Sequence, residues 1–254
     1  MGALHAGHTA LIDRARELAG PKGTVVVSIF VNPTQFNANE DLSRYPRPFA
    51  NDRALCEKHG ANAIFHPQPK AMYAPDHSTW VDESIVSSPL CGAARPGHFR
   101  GVCTVVLKLF TITQPNIAIF GRKDYQQSAV IRRMVRDLNL PVRIVVAPTV
   151  RERDGLALSS RNIYLTAEQR AQAPVIRQAL LAVRAAWRRG VTQVEKLRRL
   201  ASQTISTASL ARIDYIEIVD GASLQPIERA QRGSVIAAAV FFDRTRLIDN
   251  LQLG

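Results

Sequence analysis

The first eight residues, Met1-Gly2-Ala3-Leu4-His5-Ala6-Gly7-His8, set two imidazoles on either side of Ala6-Gly7, directly before an amphipathic stretch that reads as a helix. A helix N-terminus presents unpaired backbone N–H groups and the positive end of the helix dipole. Histidines held there can therefore meet a nucleotide's phosphates with further donors. Gly7 has no Cβ and lets the chain approach such a ligand closely. A lone His-x-Gly-His tetrapeptide is equally well two histidines near a chain terminus, so the weight falls on what accompanies it.

Four further segments carry polar residues suited to nucleotide and carboxylate chemistry: Asn32-Pro33-Thr34-Gln35-Phe36, Arg95-Pro96-Gly97-His98-Phe99-Arg100-Gly101, Gly121-Arg122-Lys123-Asp124-Tyr125-Gln126-Gln127 and Leu158-Ser159-Ser160-Arg161-Asn162. Taken in this order from Met1 to the chain end, the five motifs resemble the pantothenate synthetase family, the pantoate–β-alanine ligases of the His-x-Gly-His nucleotidyltransferase superfamily. The resemblance implies a two-step reaction. Pantoate attacks the α-phosphate of ATP to give pantoyl adenylate and pyrophosphate, and the amine of β-alanine then attacks the acyl carbon and releases AMP. ATP is thus the implied co-substrate, with Mg2+ carried on it and no protein metal site, and the implied assembly is a homodimer.

Attack of a carboxylate on a polyphosphate brings negative charge to negative charge, so cations and oriented donors must offset it in the transition state. His5, His8, Lys123 and Arg161 are the candidate catalytic groups. The resemblance assigns ATP to Met1, Gly2, Ala3, Leu4, His5, Ala6, Gly7 and His8, to Gly121, Arg122, Lys123 and Asp124, and to Val150, Leu158, Ser159, Ser160 and Arg161. Asp124 accepts from ribose hydroxyls in that assignment; alternatively it caps the following helix. Ser159-Ser160-Arg161 is similar to the family's phosphate-gripping loop, comparable in role to the Lys-Met-Ser-Lys-Ser loop of class I aminoacyl-tRNA synthetases. A planar guanidinium and two hydroxyls suit a leaving pyrophosphate. Gln35 and Gln127 are uncharged amides that the resemblance assigns to pantoate, with Asn32 assisting and Gln35 also near β-alanine. His8 is read as stabilising charge rather than donating a proton, because pyrophosphate and AMP both leave as anions. Arg95 and His98 shape the pocket or a subunit contact and receive no role; His59, His66 and His77 are structural or exposed. Thr34 and Leu158 stand where relatives often carry an apolar residue and a methionine, changes expected to preserve shape.

A chain of 254 residues with 46% hydrophobic content can bury a sizeable core. No uninterrupted apolar run reaches membrane-spanning length, so no membrane partner is expected. Three cysteines, Cys56, Cys91 and Cys103, without Cys-x-x-Cys spacing fit a reducing cytoplasm better than a secreted disulfide scaffold. Cys91 and His98 lack a second matched pair for a metal, and read as a buried thiol and a polar loop histidine. The net charge of +12 suits polyanions. Arg170, Arg177, Arg184, Arg188 and Arg189 recur on one helix without interleaved aromatics apart from Trp187, so that basic face reads as solvated or packed at a domain edge, and nucleic acid is not expected as a partner.

Periodicity supplies the elements that must position these residues. Helices are expected over 8–18, 49–59, 102–112 and 124–138, alternating with strands over 24–31, 61–65, 116–120 and 142–147. Such alternation implies a Rossmann-like parallel sheet with helices on both faces, with ligands beyond the carboxyl ends of the strands. Residues 1–149 form the expected ATP- and pantoate-binding domain. Residues 150–254, with helices over 166–189 and 191–207 and strands over 213–219, 235–242 and 245–249, form a smaller α+β domain with an antiparallel sheet that closes over the site. The resemblance also implies a strand immediately upstream of Met1, without which edge groups of the sheet lose backbone hydrogen bonds. Two other functions stay open on the residues alone. A nucleotidyltransferase of the same superfamily keeps the nucleotide on its product and releases no AMP, and a basic nucleic-acid-binding module binds with a steep salt dependence.

Overall fold

The computed structural model describes residues 1–37 and 41–254; residues 38–40 of the expected polar loop lie outside the described residues. The chain divides into two compact units, one of Met1–Arg122 with Gln126–Pro148 and the other of Lys123–Tyr125 with Thr149–Gly254.

In the first unit, helix α1 (Ala6–Ala19) turns Thr9 and Ile12 inward and ends at Gly20, whose φ of 65° is open to glycine at little cost. Strand β1 (Val26–Ser28) follows, α2 (Phe49–Lys58) crosses over, and β2 (Ala63–Phe65) returns parallel to β1, with Val26 opposite Ala63. Ile12, Val25, Val27, Ile29 and Cys56 form the core that α1, α2 and this strand pair share. The strand expected over 24–31 is only three residues by ladder pairing, because its partner β2 is no longer. Short helices α3 (Pro69–Met72) and α4 (Cys91–Ala94) punctuate the segment before α5 (His98–Thr113). Helix α5 begins four residues before its expected start of 102, since Gly97 at φ 79° turns the chain and His98, Phe99 and Gly101 are already buried. Then come β3 (Ile117–Gly121), a 3-10 turn over Arg122–Asp124, α6 (Tyr125–Asp137) and β4 (Arg143–Ala147), parallel to β3.

The α/β class with helix-flanked parallel strands is present, but the parallel strands form two pairs, β1–β2 and β3–β4, rather than one continuous sheet. No described strand hydrogen-bonds to both pairs. At β1, Met1 N donates to Ser28 O at 2.8 Å and Phe30 N–H donates to Met1 O at 3.0 Å, one parallel bridge beyond the pair.

The second unit packs helices on an antiparallel sheet. The helix expected over 166–189 is broken into α7 (Ala167–Gln172) and α8 (Val175–Arg188), because Pro174 cannot continue the backbone ladder from α7. Thr166 and Gln169 close a capping box at the start of α7. After α9 (Val194–Ile205) come β5 (Ala211–Val219), β6 (Val235–Phe242) and β7 (Thr245–Gln252), with β6 in the centre. Nearly every residue of β6 is buried, as its continuous apolar run requires, and α8 and α9 cover the sheet through Ile176, Leu180, Val183, Leu197 and Ile205. Truncating a side chain as buried as Leu180 costs about 2–5 kcal/mol.

All three cysteines are buried and none forms a disulfide. Burial, reinforced by the charges of Glu83 and Asp82, pushes the Cys103 thiol up to about 12, and burial also raises that of Cys56. The native protein should therefore show no rapidly titrating thiol at pH ~8, and all three should react once denaturant is added. Ready labelling of Cys103 in the folded chain contradicts this packing.

Candidate functional site

The two leading histidines form the cap of α1. His5 is the N-cap residue, and its Nδ1 accepts from Gly7 N–H at 3.1 Å. His8, three residues on, reaches back so that its Nδ1 accepts from His5 N–H at 3.4 Å, which completes a reciprocal capping box made of imidazoles. The rings lie 4.1 Å apart between centroids. Because both Nδ1 atoms accept, each neutral ring carries its proton on Nε2, so each Nε2–H is a donor at the positive end of a helix dipole. The arrangement can receive an anionic oxygen. The preceding residues are held by Asp52 in the first turn of α2, 1% exposed, whose carboxylate accepts from Ala3 N–H at 2.9 Å and Leu4 N–H at 2.6 Å. This grip accompanies Ala3 at φ 49°, a left-handed conformation unusual for alanine. Gly2 lies on the wall of a cavity of about 210 Å³ with Phe30, Val31, Pro33, Phe49 and Asp52.

A second cluster surrounds the turn Pro33–Gln35. Asn32, 3% exposed, donates through Nδ2 to Gln35 Oε1 and to Gly101 O, both at 3.1 Å. His98 Nδ1 donates to Gln35 O at 2.8 Å, and Arg95 donates to the same carbonyl at 3.2 Å and to His98 Nε2 at 3.1 Å. Arg95 and His98, left without a role by the sequence, thus clamp the backbone of Gln35. His98 is not a loop residue but the buried first residue of α5. Gly101 allows the contact, since a Cβ there would stand 2.5 Å from Thr34 O and 2.9 Å from Gln35 Cα. Thr34 does more than preserve shape: its hydroxyl donates to Asn32 Oδ1 at 3.1 Å.

Gly121 ends β3, Arg122 to Asp124 form the turn after it, and half-buried Gln127 lies in the first turn of α6. Its neighbour Gln126 is structural, buried with Nε2 donating to Val86 O and Pro89 O and Oε1 accepting from Cys91 N–H.

In the second unit, Lys123 and Ser159 line one small cavity with Leu156, Arg177 and Asp249. Asn250 donates to Lys123 O at 2.8 Å, fixing the backbone there, and Lys123 Nζ lies 3.6 Å from Asp124 Oδ1. Leu158 N–H donates to Val150 O at 3.0 Å, so these two residues are neighbours in a tight antiparallel loop that turns at Gly155, φ 92°. Arg151 grips the 4% exposed Asp249 at 2.6 and 2.8 Å. Ser159 caps the 3-10 turn Ser160–Tyr164 by accepting from Arg161 N–H at 3.3 Å. The arginine face expected to be solvated or packed at a domain edge is in part paired and buried. Arg170 pairs with Glu152 and Asp154, and burial followed by the charge of Arg151 lowers the Arg177 guanidinium below its ordinary value.

Among the other histidines, His59 pairs with Asp13 at 2.6 Å and His66 donates to Ile29 O at 2.7 Å, which are structural roles. His77 packs edge-on against Tyr73 and Trp80, with a buried Nε2 that has no partner among the described residues. Asp52 and Tyr73 were not found from the sequence, since an acid in a first helical turn and a tyrosine after a proline-rich stretch carry no signal of what they touch; Gly101 was read only as the end of a polar motif.

The family profile described as Pantoate-beta-alanine ligase matches residues 1–252. The chain belongs to the pantoate–β-alanine ligase family. A pantothenate synthetase of Akkermansia muciniphila is 53% identical over 253 residues, spanning 100% of this chain and 90% of that protein. One from Thermotoga neapolitana is 51% identical over 254 residues, with the same shares covered. The crystal structure of the Thermus thermophilus pantothenate synthetase superposes with a TM-score of 0.94 at 47% identity, covering 99% of this chain and 90% of that one. A Francisella tularensis pantoate–β-alanine ligase, described as complexed with beta-gamma ATP and β-alanine, superposes with a TM-score of 0.79 at 35% identity, covering 99% and 87%. As a member of this ligase family the chain is an enzyme that joins pantoate and β-alanine through an amide bond.

Two substitutions test the scaffolding of these clusters. Asp52→Ala leaves the Ala3 and Leu4 donors without their charged acceptor and should lower stability by about 2–3 kcal/mol in denaturant titration. Gly101→Ala should displace the Pro33–Gln35 turn and lower ligase kcat/KM at least ~10-fold, a factor typical of a disturbed binding contact. Wild-type kinetics in Gly101→Ala would show that the close approach is dispensable.

Proposed function

We propose that the chain makes pantothenate in two steps driven by ATP: pantoate's carboxylate attacks the α-phosphate, forming pantoyl adenylate and expelling pyrophosphate, and the amine of β-alanine displaces AMP from the acyl carbon. The observation that carries this reading is the imidazole capping box. By accepting through Nδ1, His5 and His8 offer two Nε2–H donors beside the N-terminal N–H groups of α1. Donors fixed before the reaction stabilise negative charge as it develops without reorganising. Neutral rings suffice, since both leaving groups depart as anions. In this reading Lys123 and Arg161 supply positive charge to the polyphosphate and Ser159 and Ser160 supply hydroxyls. Met1 to Leu4, Ala6, Gly7, Gly121, Arg122, Val150 and Leu158 line the nucleotide, and Asp124 accepts from its ribose.

Gln35 and Gln127 bind pantoate, and Gln35 also approaches β-alanine. Asn32 assists at the pantoate site, its amide donating to Gln35 Oε1 and Gly101 O and accepting from Thr34 and Tyr73. Magnesium enters on the polyphosphate and supplies charge neutralisation there. No described group of three or more His, Cys, Asp and Glu side chains has the arrangement to hold a metal. The enzyme works as a homodimer in the cytoplasm, readings supported by the family resemblance and by three cysteines that form no disulfide. No helix among the described residues is long and apolar enough to cross a membrane.

The test is AMP release from Mg-ATP and pantoate, with and without β-alanine. AMP formed in quantity only when both acceptor substrates are present fits the ligase; nucleotide retained on the product points to a nucleotidyltransferase. Lys123→Ala should lower adenylate formation at least ~100-fold, in the range of a lost transition-state donor. His5→Asn keeps a side-chain acceptor for the cap and removes the imidazole donor, so stability should hold while adenylation falls. Gln127→Ala should raise the pantoate KM with little change in that for ATP; an unchanged pantoate KM removes Gln127 from the substrate site.

A further inference from the structure

We propose that Tyr73 is a positioning residue of the ligase, one that acts through Asn32 to fix which end of the Gln35 side-chain amide faces substrate. The inference rests on the reading above in which Gln35 meets pantoate.

The acceptors around Asn32 admit only one orientation of its amide. The carbonyl of Gly101 can only accept, so the Asn32 atom 3.1 Å from it must be Nδ2. Asn32 Oδ1 then points the other way, where Tyr73 Oη–H donates to it at 2.8 Å and Thr34 Oγ1–H at 3.1 Å. With its nitrogen so placed, Asn32 also donates to Gln35, which must answer with Oε1 at 3.1 Å. The Nε2 of Gln35 is thereby the end of the amide turned away from Asn32, a two-hydrogen donor with no hydrogen bond to another described residue. A donor amide attracts a carboxylate or hydroxyl oxygen of pantoate. A reversed amide would set oxygen against oxygen.

Tyr73 is suited to hold this relay. Its ring meets His77 edge-on at 5.0 Å and Trp80 at 6.5 Å, and Lys108 Nζ lies over it at 5.6 Å, so the hydroxyl is delivered from a fixed direction. Burial raises the phenol above its ordinary value, against smaller opposing effects of Thr34 and Asn32, which keeps it a donor. The Thr34 hydroxyl also lies 3.3 Å from Tyr73 Oη, so Asn32 Oδ1 is bracketed by two hydroxyls.

The experiment is a double-mutant cycle of Tyr73→Phe with Gln35→Ala, read as kcat/KM for pantoate, with the ATP KM and thermal midpoint of each variant measured alongside. Tyr73→Phe keeps the ring and its packing and should lower kcat/KM for pantoate about tenfold, mainly through KM, with the ATP KM little changed. In the Gln35→Ala background the same change should have no further effect, because the group it orients is gone. Equal losses in both backgrounds, or an unchanged pantoate KM in Tyr73→Phe while Gln35→Ala raises it, overturn the positioning role and leave the Gln35 assignment standing. An unchanged pantoate KM in Gln35→Ala overturns that assignment and the proposal together. Thr34→Val, which removes the other donor to Asn32 Oδ1, is the companion variant should Tyr73→Phe fold poorly, and should shift the pantoate KM in the same direction by a smaller factor.

Discussion

The first turn of α1 leaves backbone N–H groups that its own helix cannot pair, and the chain meets that requirement with imidazole nitrogens. A serine or aspartate would cap as well. Histidine differs because using one ring nitrogen as an acceptor commits the other, in the neutral ring, to being a donor. His5 and His8 therefore stabilise the helix start and, by the same bonds, define which atom each presents outward. The geometry also depends on what holds the chain before it. Asp52 grips Ala3 and Leu4 and ties the cap to α2, and α2 is in turn tied to the β1–β2 pair through Cys56 and its neighbours.

The Pro33–Gln35 turn follows a similar logic with different groups. Its backbone is clamped by Arg95 and His98, its side chains are ordered by Asn32, and its closeness to α5 depends on a missing Cβ at Gly101. Buried polar groups are costly unless paired, and a paired network has few alternative arrangements. That is why Asn32 has one amide orientation, and why Arg95 and His98 of the Arg-Pro-Gly-His-Phe-Arg-Gly segment hold the Gln35 carbonyl in one place. In the second unit the same constraint acts at Lys123 and in the loop from Val150 to Leu158, where Asn250, Arg151 and Asp249 order the backbone.

Much of the molecule was legible in the residues. The alternation of strand and helix and the three strands of the second unit followed from apolar spacing, because periodicity reflects which side of an element is covered. The break at Pro174 is also present in the sequence but hidden from periodicity, since the apolar spacing runs across it while the backbone ladder cannot. The early start of α5 escaped because His98 to Gly101 reads as a polar motif, although His98, Phe99 and Gly101 are buried in the helix.

By itself the sequence determined the family, the class of reaction and the order of the motifs, because short runs such as His5-Ala6-Gly7-His8 and Ser159-Ser160-Arg161 carry their residue types and spacings along the chain. Only the tertiary structure decided that both imidazoles accept through Nδ1, that Asp52 holds the residues before them, and that Tyr73 and Gly101 bear on Asn32. Asn32 and Gly101 stand 69 positions apart in the chain, and the hydrogen bond that joins them depends on distance and direction in space, to which local residue type and periodicity are blind.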